Sequence, residues 1–559
     1  MAYTIGFDFG TNSVRALIVN LSNGEELGMG VFAYETGDDG VILDASDHNL
    51  ARQNPADYLR GLQITSRLAL AEAQTKSAGF SSDQIIGIGV DTTGSTPMPI
   101  DEQCRSLATQ NRFRENPNAY AWLWKDHTSY AEAAEITALA EQEHPEYLAK
   151  CGGTYSPEWF FSKILHCLRV DQGLFDAAYS WVEICDWIPA VLTGVTIPEQ
   201  IRRGRCAAGH KAMFNPEWGG LPAQAFLSKL DPKLGELRSR LYSDTYTVDT
   251  AAGVLTEGWA EKLGLPVGIP VAIGAIDAHL GAVGAGVGAG TLVKIMGTST
   301  CDILVAPAIR EDVPGICGIV DGSVLPGFYG LEAGQSAVGD LFDWFVNIVQ
   351  PGGGDLGSHE ALTQQASLLK PGQSGLLALD WNNGNRTILV DQRLTGLLVG
   401  QTLHTKPEEI YRALVEATAF GALSIINRFD DYGVHIEEVV NCGGISEKNA
   451  MIMQIYADVT DREMKISRSA QTCALGSAIV AAVAAGEAQG GYPDVVSAQN
   501  AMCGVKETTY KPIPENHEVY KNLYNLYMQL HDAFGVGGQQ SDLSNVMKEL
   551  LTIKETINA

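Results

Sequence analysis

Hydrophobic segments in this chain, such as "IIGIGV" at 85–90 and "LTGLLVG" at 394–400, fall far short of the about 20 residues that a membrane-spanning helix requires. The opening "MAYTIGFDFG" has neither a basic region nor a cleavable apolar core, so a cytoplasmic protein is expected. CxxC pairs are absent among the ten cysteines, which argues against a zinc site or a disulfide frame and leaves reduced core thiols. Positive charge is scarce. Against 66 Asp and Glu stand 38 Lys and Arg, a net charge of −28. Nucleic acid and anionic membrane both need a basic face, so neither is an expected partner. An anionic small ligand would have to be held locally by backbone N–H groups, a few Lys or Arg and a divalent cation. The chain also lacks a GxxxxGK[ST] cradle and any GxGxxG opening a helix after a strand, which removes the two commonest nucleotide motifs. His127, His210 and His279 show no metal-site spacing and are expected to pack or to support other residues.

What is present is enough chain for more than one core. At 559 residues at least two domains are expected, with the boundary in the glycine- and alanine-rich "GAVGAGVGAG" at 281–290, giving 1–285 and 286–559. That stretch suits either a tight helix contact or a hinge. The first residues give three strand-like runs separated by "GTN" and "SNG". A helix should follow from Asn54 as N-cap and Pro55 at its first position, then the strand "IIGIGVD". Strand, Gly-Thr turn, strand recurs at 292–306 as "LVKIMGTSTCDILVA", which suggests two related halves. Beyond 486 the pattern is irregular until "HEVYKNLYNLYMQLHDAF", whose Tyr520, Leu523, Tyr524 and Tyr527 form a packing stripe; "GVGGQQSD" reads as a connector to a last short helix.

The first Gly-Thr turn carries Gly10, Thr11, Asn12 and Ser13, whose N–H groups and hydroxyls can converge on one phosphate while Asp8 at the strand end holds a hydrated Mg²⁺. The same residues also make an ordinary β-turn. "GVDTTGSTP" at 89–97 ends a strand with a carboxylate and hydroxyls, and "NCGGISEKN" at 441–449 sets Gly443 and Gly444 where backbone can lie flat against a planar base. With the small-residue stretch "SAQTCALGSAIVAAVAAG", these loops resemble the nucleotide site of the actin, hexokinase and Hsp70 superfamily.

Within it the chain resembles the FGGY carbohydrate kinases. Gly396-Leu397-Leu398-Val399-Gly400, Glu409-Ile410 and Ala413-Leu414-Val415-Glu416 stand at the family spacing, with Gln401 where an aliphatic residue is usual. The family's first signature is departed from: "SPEWFFSKILHCLR" keeps Lys163-Ile164 but has Phe160 and His166 at positions usually filled otherwise. "LWKDHT", "CAAGHKAMFNPEWGGLP", "GAIDAHLGAVGAG" and "GLEAGQSAVGD" are similar to the branch of the family that acts on L-ribulose. The resemblance implies an α/β fold of two ribonuclease H-like, actin-like ATPase domains around an interdomain cleft, with ATP and Mg²⁺ as cofactors. L-ribulose, and D-ribulose also, would be acceptors in a homodimeric enzyme. It implies nucleotide binding by Gly10, Thr11, Asn12 and Ser13, by Gly297, Thr298 and Ser299, and by Gly443, Gly444 and Asn449, and sugar binding by Thr96, Trp124, Lys211, Asp277 and Glu332. Asp277 is the implied catalytic base. Read from the residues alone, Asp277 is equally a helix N-cap, Lys211 and Glu332 an ion pair, and Trp124 core. The alternative within the family is a kinase of xylulose or another pentulose, and a rival from another class is an ATP-driven conformational switch of the Hsp70 or actin kind.

Overall fold

The computed structural model describes residues 1–351, 357–537, 543 and 545–558. Its first hairpin forms where the sequence places it: the fully buried strand Tyr3–Phe9 pairs antiparallel with Ser13–Asn20, and Gly10 N donates to Ser13 O at 2.9 Å across the turn. Ser13–Asn20 pairs in turn with Glu26–Ala33. The helix Pro55–Lys76 begins as expected, with the Asn54 side chain accepting from Ala56 N. It lies so close to the third strand that a Cβ on Gly28 would sit 2.1 Å from the Ala69 carbonyl oxygen. This helix returns the chain to Ile85–Thr92, parallel to Tyr3–Phe9, and Pro270–Ala272 is parallel to that strand in turn.

The second sheet repeats the first. Thr291–Met296, Thr300–Ala306 and Tyr329–Ala333 follow one another antiparallel; Glu438–Cys442 is parallel to Thr291–Met296, and Met464–Ser467 to Glu438–Cys442. Both sheets therefore read third, second, first, fourth, fifth strand. In both, one long helix, Pro55–Lys76 or Pro407–Asp431, makes the crossover from third to fourth strand. These are the two expected ribonuclease H-like units.

Between the sheets lie two helices of small residues, Asp277–Gly284 and Thr472–Ala485. A Cβ on Gly476 would lie 1.8 Å from the Leu280 carbonyl oxygen, one on Gly284 2.0 Å from that of Thr472, and one on Gly6 of the first strand 2.0 Å from that of Ala474. Glycine at these crossings lets backbone meet backbone, so part of "GAVGAGVGAG" is a tight helix contact. Residues 93–269, inserted between the fourth and fifth strands of the first sheet, build a helical lobe with its own core around Trp122, Trp181, Phe161 and Leu227.

Beyond 486 the structure is more regular than its sequence suggests. Helix Val495–Met502 leads to strand Val505–Tyr510, which adds an edge to the second sheet. That strand, "VKETTY", has both faces partly or fully exposed, so it shows no apolar alternation. Helix Pro514–Gly535 buries Tyr520, Leu523 and Tyr527 as the stripe implied, with Tyr524 partly buried beside them. Most of the connector "GVGGQQSD" lies outside the described residues; the last helix, Val546–Asn558, is present. All ten cysteines are free thiols, seven of them buried. Among the described residues no helix is long and apolar enough to cross a membrane.

Candidate active site

The two Gly-Thr turns face one cavity of about 230 Å³. Thr11 reaches it from the first sheet, and Gly297, Thr298 and Ser299 from the second; Trp124, Lys211, Asp277 and Glu332 complete a wall of residues singled out from the sequence. The second turn is braced by Val338 N donating to Thr298 O at 2.8 Å and Gly339 N to Gly297 O at 3.1 Å. Gly443 has φ +91° and presses against this hairpin, where a Cβ would lie 2.5 Å from the Met296 carbonyl oxygen. Gly444 beside it faces open space.

Lys211, on helix Arg205–Ala212, and Glu332, on strand Tyr329–Ala333, meet across the halves: Nζ lies 3.0 Å from Oε1 and 2.9 Å from Oε2. Burial alone would drive both toward neutrality. Their mutual attraction instead holds the Glu332 carboxyl well below the usual carboxylate range and the Lys211 ammonium above its own. His210 Nδ1 and His279 Nε2 stand 3.4 Å and 3.6 Å from Glu332, with the rings 4.4 Å apart. Burial lowers both imidazoles, His279 to about 4, so they are neutral near pH 7. His210, His279 and Glu332 have the composition of a metal site. The Lys211 ammonium already neutralises their one carboxylate, and the histidines remain packing partners of the ion pair. His127 lies elsewhere, its Nε2 3.0 Å from Glu158 Oε1.

Asp277 is the first residue of its helix, and its Oδ1 accepts from the adjacent Ala278 N at 2.7 Å. It caps neither the second nor the third N–H, and the carboxylate faces the cavity. Burial, then the nearby charge of Asp8, pushes its pKa up to about 7. Asp91 is fully buried and raised by the same two causes in the same order; its Oδ2 accepts from Ser477 Oγ at 2.7 Å while Oδ1 has no partner. Asp8 pairs with the partly exposed Arg15 at 3.1 Å. These neighbouring carboxylates, one with an orphaned buried oxygen, offer the kind of oxygen donors that a hard divalent cation takes.

The remaining expected residues divide. Trp124 is half-buried on the cavity wall, its Nε1 donating to Thr11 Oγ1 at 3.0 Å, and so ties its own loop to the first Gly-Thr turn. Gly10, Asn12 and Ser13 shape that turn, and Asn12 Nδ2 donates to Asp39 O at 2.6 Å. Asn449 caps helix Ala450–Thr460 by accepting from Ile452 N and donates to Thr363 Oγ1. Thr96 lies off the cavity: it is fully buried, with Oγ1 2.9 Å from Thr93 Oγ1 and its N–H on Glu183. Thr93 and Gly94 hold the wall position instead.

Sequence reading missed Glu158 and Arg386, which also line the cavity. Glu158 stands in "SPEWFF", inside the divergent signature, and Arg386 in a loop with no periodic pattern. Lys163 of that signature is fully buried, and its Nζ donates to the carbonyls of Ser95 (2.8 Å), Trp122 (3.2 Å) and Leu123 (2.8 Å). It thus ties the loop of Thr93 and Gly94 to the loop of Trp124. In the other signature Glu416 bonds Arg412 and the Tyr520 hydroxyl, each at 2.8 Å, a buried structural network.

Two family models match successive parts of the chain, the N-terminal domain of FGGY carbohydrate kinases over residues 3–284 and the C-terminal domain over 292–485. A ribulokinase of Halalkalibacterium halodurans is 42% identical over 99% of this chain and 97% of its own, and one of Vibrio parahaemolyticus 44% identical over 94% and 95%. Among solved structures, xylulose kinase from Rhodospirillum rubrum superposes with a TM-score of 0.76 at 23% identity, covering 95% of this chain and 98% of its own. Glycerol kinase of Plasmodium falciparum gives 0.74 at 14%, over 95% and 98%. A duplicated sheet, a cleft with a glycine-hydroxyl turn from each half, and these matches together show that the chain belongs to the FGGY family of carbohydrate kinases.

Proposed function

We propose that this enzyme transfers the γ-phosphoryl group of ATP to the terminal hydroxyl of L-ribulose, giving L-ribulose 5-phosphate and ADP in L-arabinose catabolism, and that it also accepts D-ribulose. The observation that carries the reading is the placing of Asp277: a carboxylate with pKa about 7 shares one cavity with both glycine-hydroxyl turns and with the Lys211–Glu332 pair. Phosphoryl transfer needs an in-line hydroxyl, charge neutralisation on the phosphates and an acceptor for the hydroxyl proton. Asp277 takes the proton as the sugar oxygen bonds to phosphorus, and the ADP oxygen leaves on the opposite side. The Gly10–Ser13 and Gly297–Ser299 turns hold the phosphates with N–H groups and hydroxyls, and Gly443 and Gly444 give the base a flat backbone surface. Lys211 donates to sugar oxygens and Glu332 accepts from sugar hydroxyls, while Trp124 covers a C–H face. Asp8 and Asp91 would hold Mg²⁺, directly or through its waters; when bound, it neutralises charge on the β- and γ-phosphates.

Full-length likeness to ribulokinases supports the choice of sugar. It does not favour a conformational ATP switch, for which a sugar-sized cleft with its own base has no use. A cytoplasmic homodimer is part of the proposal, on family habit. The test is ADP release, coupled to NADH oxidation, across ketopentoses, aldopentoses and glycerol. L-ribulose should give the highest kcat/KM. A preference for xylulose would place the enzyme with another pentulose kinase, and sugar-independent ATP turnover would overturn the kinase reading.

A further inference from the structure

The cavity continues past Lys211 and Glu332. It opens into a second chamber of about 80 Å³ that shares Glu158, Lys211, Glu332 and Arg386 with the first, and to which neither phosphate turn nor Asp277 contributes. This sets an order along the cavity. The phosphate turns and Asp277 stand at one end, and Lys211, Glu332, Glu158 and Arg386 together at the junction with the second chamber. An acceptor whose reacting hydroxyl lies at Asp277 points its far end toward this junction, where Lys211 and Glu332 bond each other and Glu158 and Arg386 do not.

Both side chains are held there with capacity to spare. Arg386 forms no ion pair among the described residues, and the nearest hydrogen-bond partner of its guanidinium is the Cys301 thiol, with Nη1 4.0 Å from Sγ. The Glu158 and Glu332 carboxylates are near enough to act on its charge. Glu158 Oε1 is engaged by His127 Nε2, while Oε2 has no partner among the described residues. The Arg386 loop joins strands Leu377–Leu379 and Leu397–Val399 and is braced from behind by helix Pro514–Gly535. Tyr527 OH donates to Asp380 Oδ1 at 3.2 Å, and a Cβ on Gly535 would lie 2.3 Å from Leu389 Cδ1. Arg386 belongs to the second half of the chain and Glu158 to the first, so a ligand touching both bridges the cleft.

We propose that Arg386 and Glu158 are the pair that selects a 2-ketose: the guanidinium donates to the ketone oxygen, and the carboxylate accepts from the neighbouring C1 hydroxyl. The inference rests on the ketopentose reading above and adds which residues read the end of the sugar that does not react. A ketone oxygen only accepts hydrogen bonds and a guanidinium only donates them, so the match is one-way. A sugar lacking either group leaves a charged side chain unmatched in the cavity.

The experiment is steady-state kinetics on the full-length enzyme with L-ribulose and 1-deoxy-L-ribulose. Arg386→Met and Glu158→Gln should each raise KM for L-ribulose by about 10- to 100-fold, with KM for ATP changed less than about twofold. The Glu158→Gln penalty should shrink to less than about threefold on the 1-deoxy sugar, whose C1 hydroxyl is gone. Arg386→Lys, which keeps the charge but loses the fork, should also raise KM for L-ribulose and serves if Arg386→Met does not fold. Equal Glu158→Gln penalties on the two sugars, or Arg386 variants with unchanged KM for L-ribulose, overturn the inference while wild-type turnover of L-ribulose leaves the proposed function standing. If the wild type prefers another ketopentose, that sugar and its 1-deoxy form replace the pair. A wild type that turns over no ketose overturns both.

Discussion

Lys211 Nζ lies 2.9 Å and 3.0 Å from the two carboxylate oxygens of Glu332, and this buried pair joins the inserted lobe of the first half to the third strand of the second sheet. Ion pair and sugar ligand are therefore not alternatives here, because the pair itself forms part of the cavity wall.

The two roles separate by mutation. Lys211→Met or Glu332→Gln alone leaves a buried charge unpaired, which should cost about 3–5 kcal/mol of stability, whereas Lys211→Met with Glu332→Leu should restore most of it. Sugar affinity should not return in the double variant. Thermal melts and KM for L-ribulose together check this; recovery of both would reduce the pair to a structural one. The Glu332 carboxyl is depressed from its ordinary 4.5, so its contribution is present above that pH and lost as acid is added below it.

Asp277→Asn keeps size and the bond from Ala278 N but cannot take a proton. We expect kcat to fall by about 10² to 10⁴ with nucleotide and sugar binding retained. In the wild type, protonation near pH 7 should make kcat/KM fall about tenfold per unit below that pH, as the raised value requires. Because ionising Asp277 is disfavoured by burial, its share of stability declines as pH rises from 3.8 through about 7. The Asn variant should then be at least as stable as the wild type at pH 8. A flat pH profile with normal turnover in the variant would move the base elsewhere, Asp91 being next to test.

Gly297→Val puts a branched side chain into the second Gly-Thr turn, the proposed phosphate contact. KM for ATP should rise by at least about tenfold, with KM for the sugar little changed, since crowding acts where phosphate meets backbone N–H. The reverse pattern would remove "GTST" from the nucleotide site.

Gly476→Ala tests the helix crossing between the sheets. In an ordinary helix this change stabilises by about 1 kcal/mol. Here a Cβ would stand 1.8 Å from the Leu280 carbonyl oxygen, so the helices must separate. The clash wins, and we expect a loss of about 1–3 kcal/mol or more by denaturant titration. A more stable variant would show that the contact yields easily.

The strands, turns and helix starts legible in the sequence are those dictated by local chemistry. Asn54 and Pro55 start a helix because of what they do to their own neighbours, and glycine with threonine turns a hairpin in either half without help from the rest of the fold. Asp277, Lys211 and Glu332 were identified by family likeness, since nothing in their spacing says that residues 211, 277 and 332 share a cavity. Other features had no local signature at all. The edge strand Val505–Tyr510 is polar on both faces and exists because a sheet edge offers it hydrogen bonds. Thr93 lines the cavity and Thr96, three residues on, does not, and Glu158 and Arg386 line one cavity across 228 positions of chain (386 − 158). By itself the sequence determined the two repeated units and their glycine-hydroxyl turns, because short-range sterics and hydrogen bonding act without long-range contacts. Only the tertiary structure decided which side chains face the cleft and which carboxylate is left half-neutral, because burial and opposing charge are properties of the assembled interior.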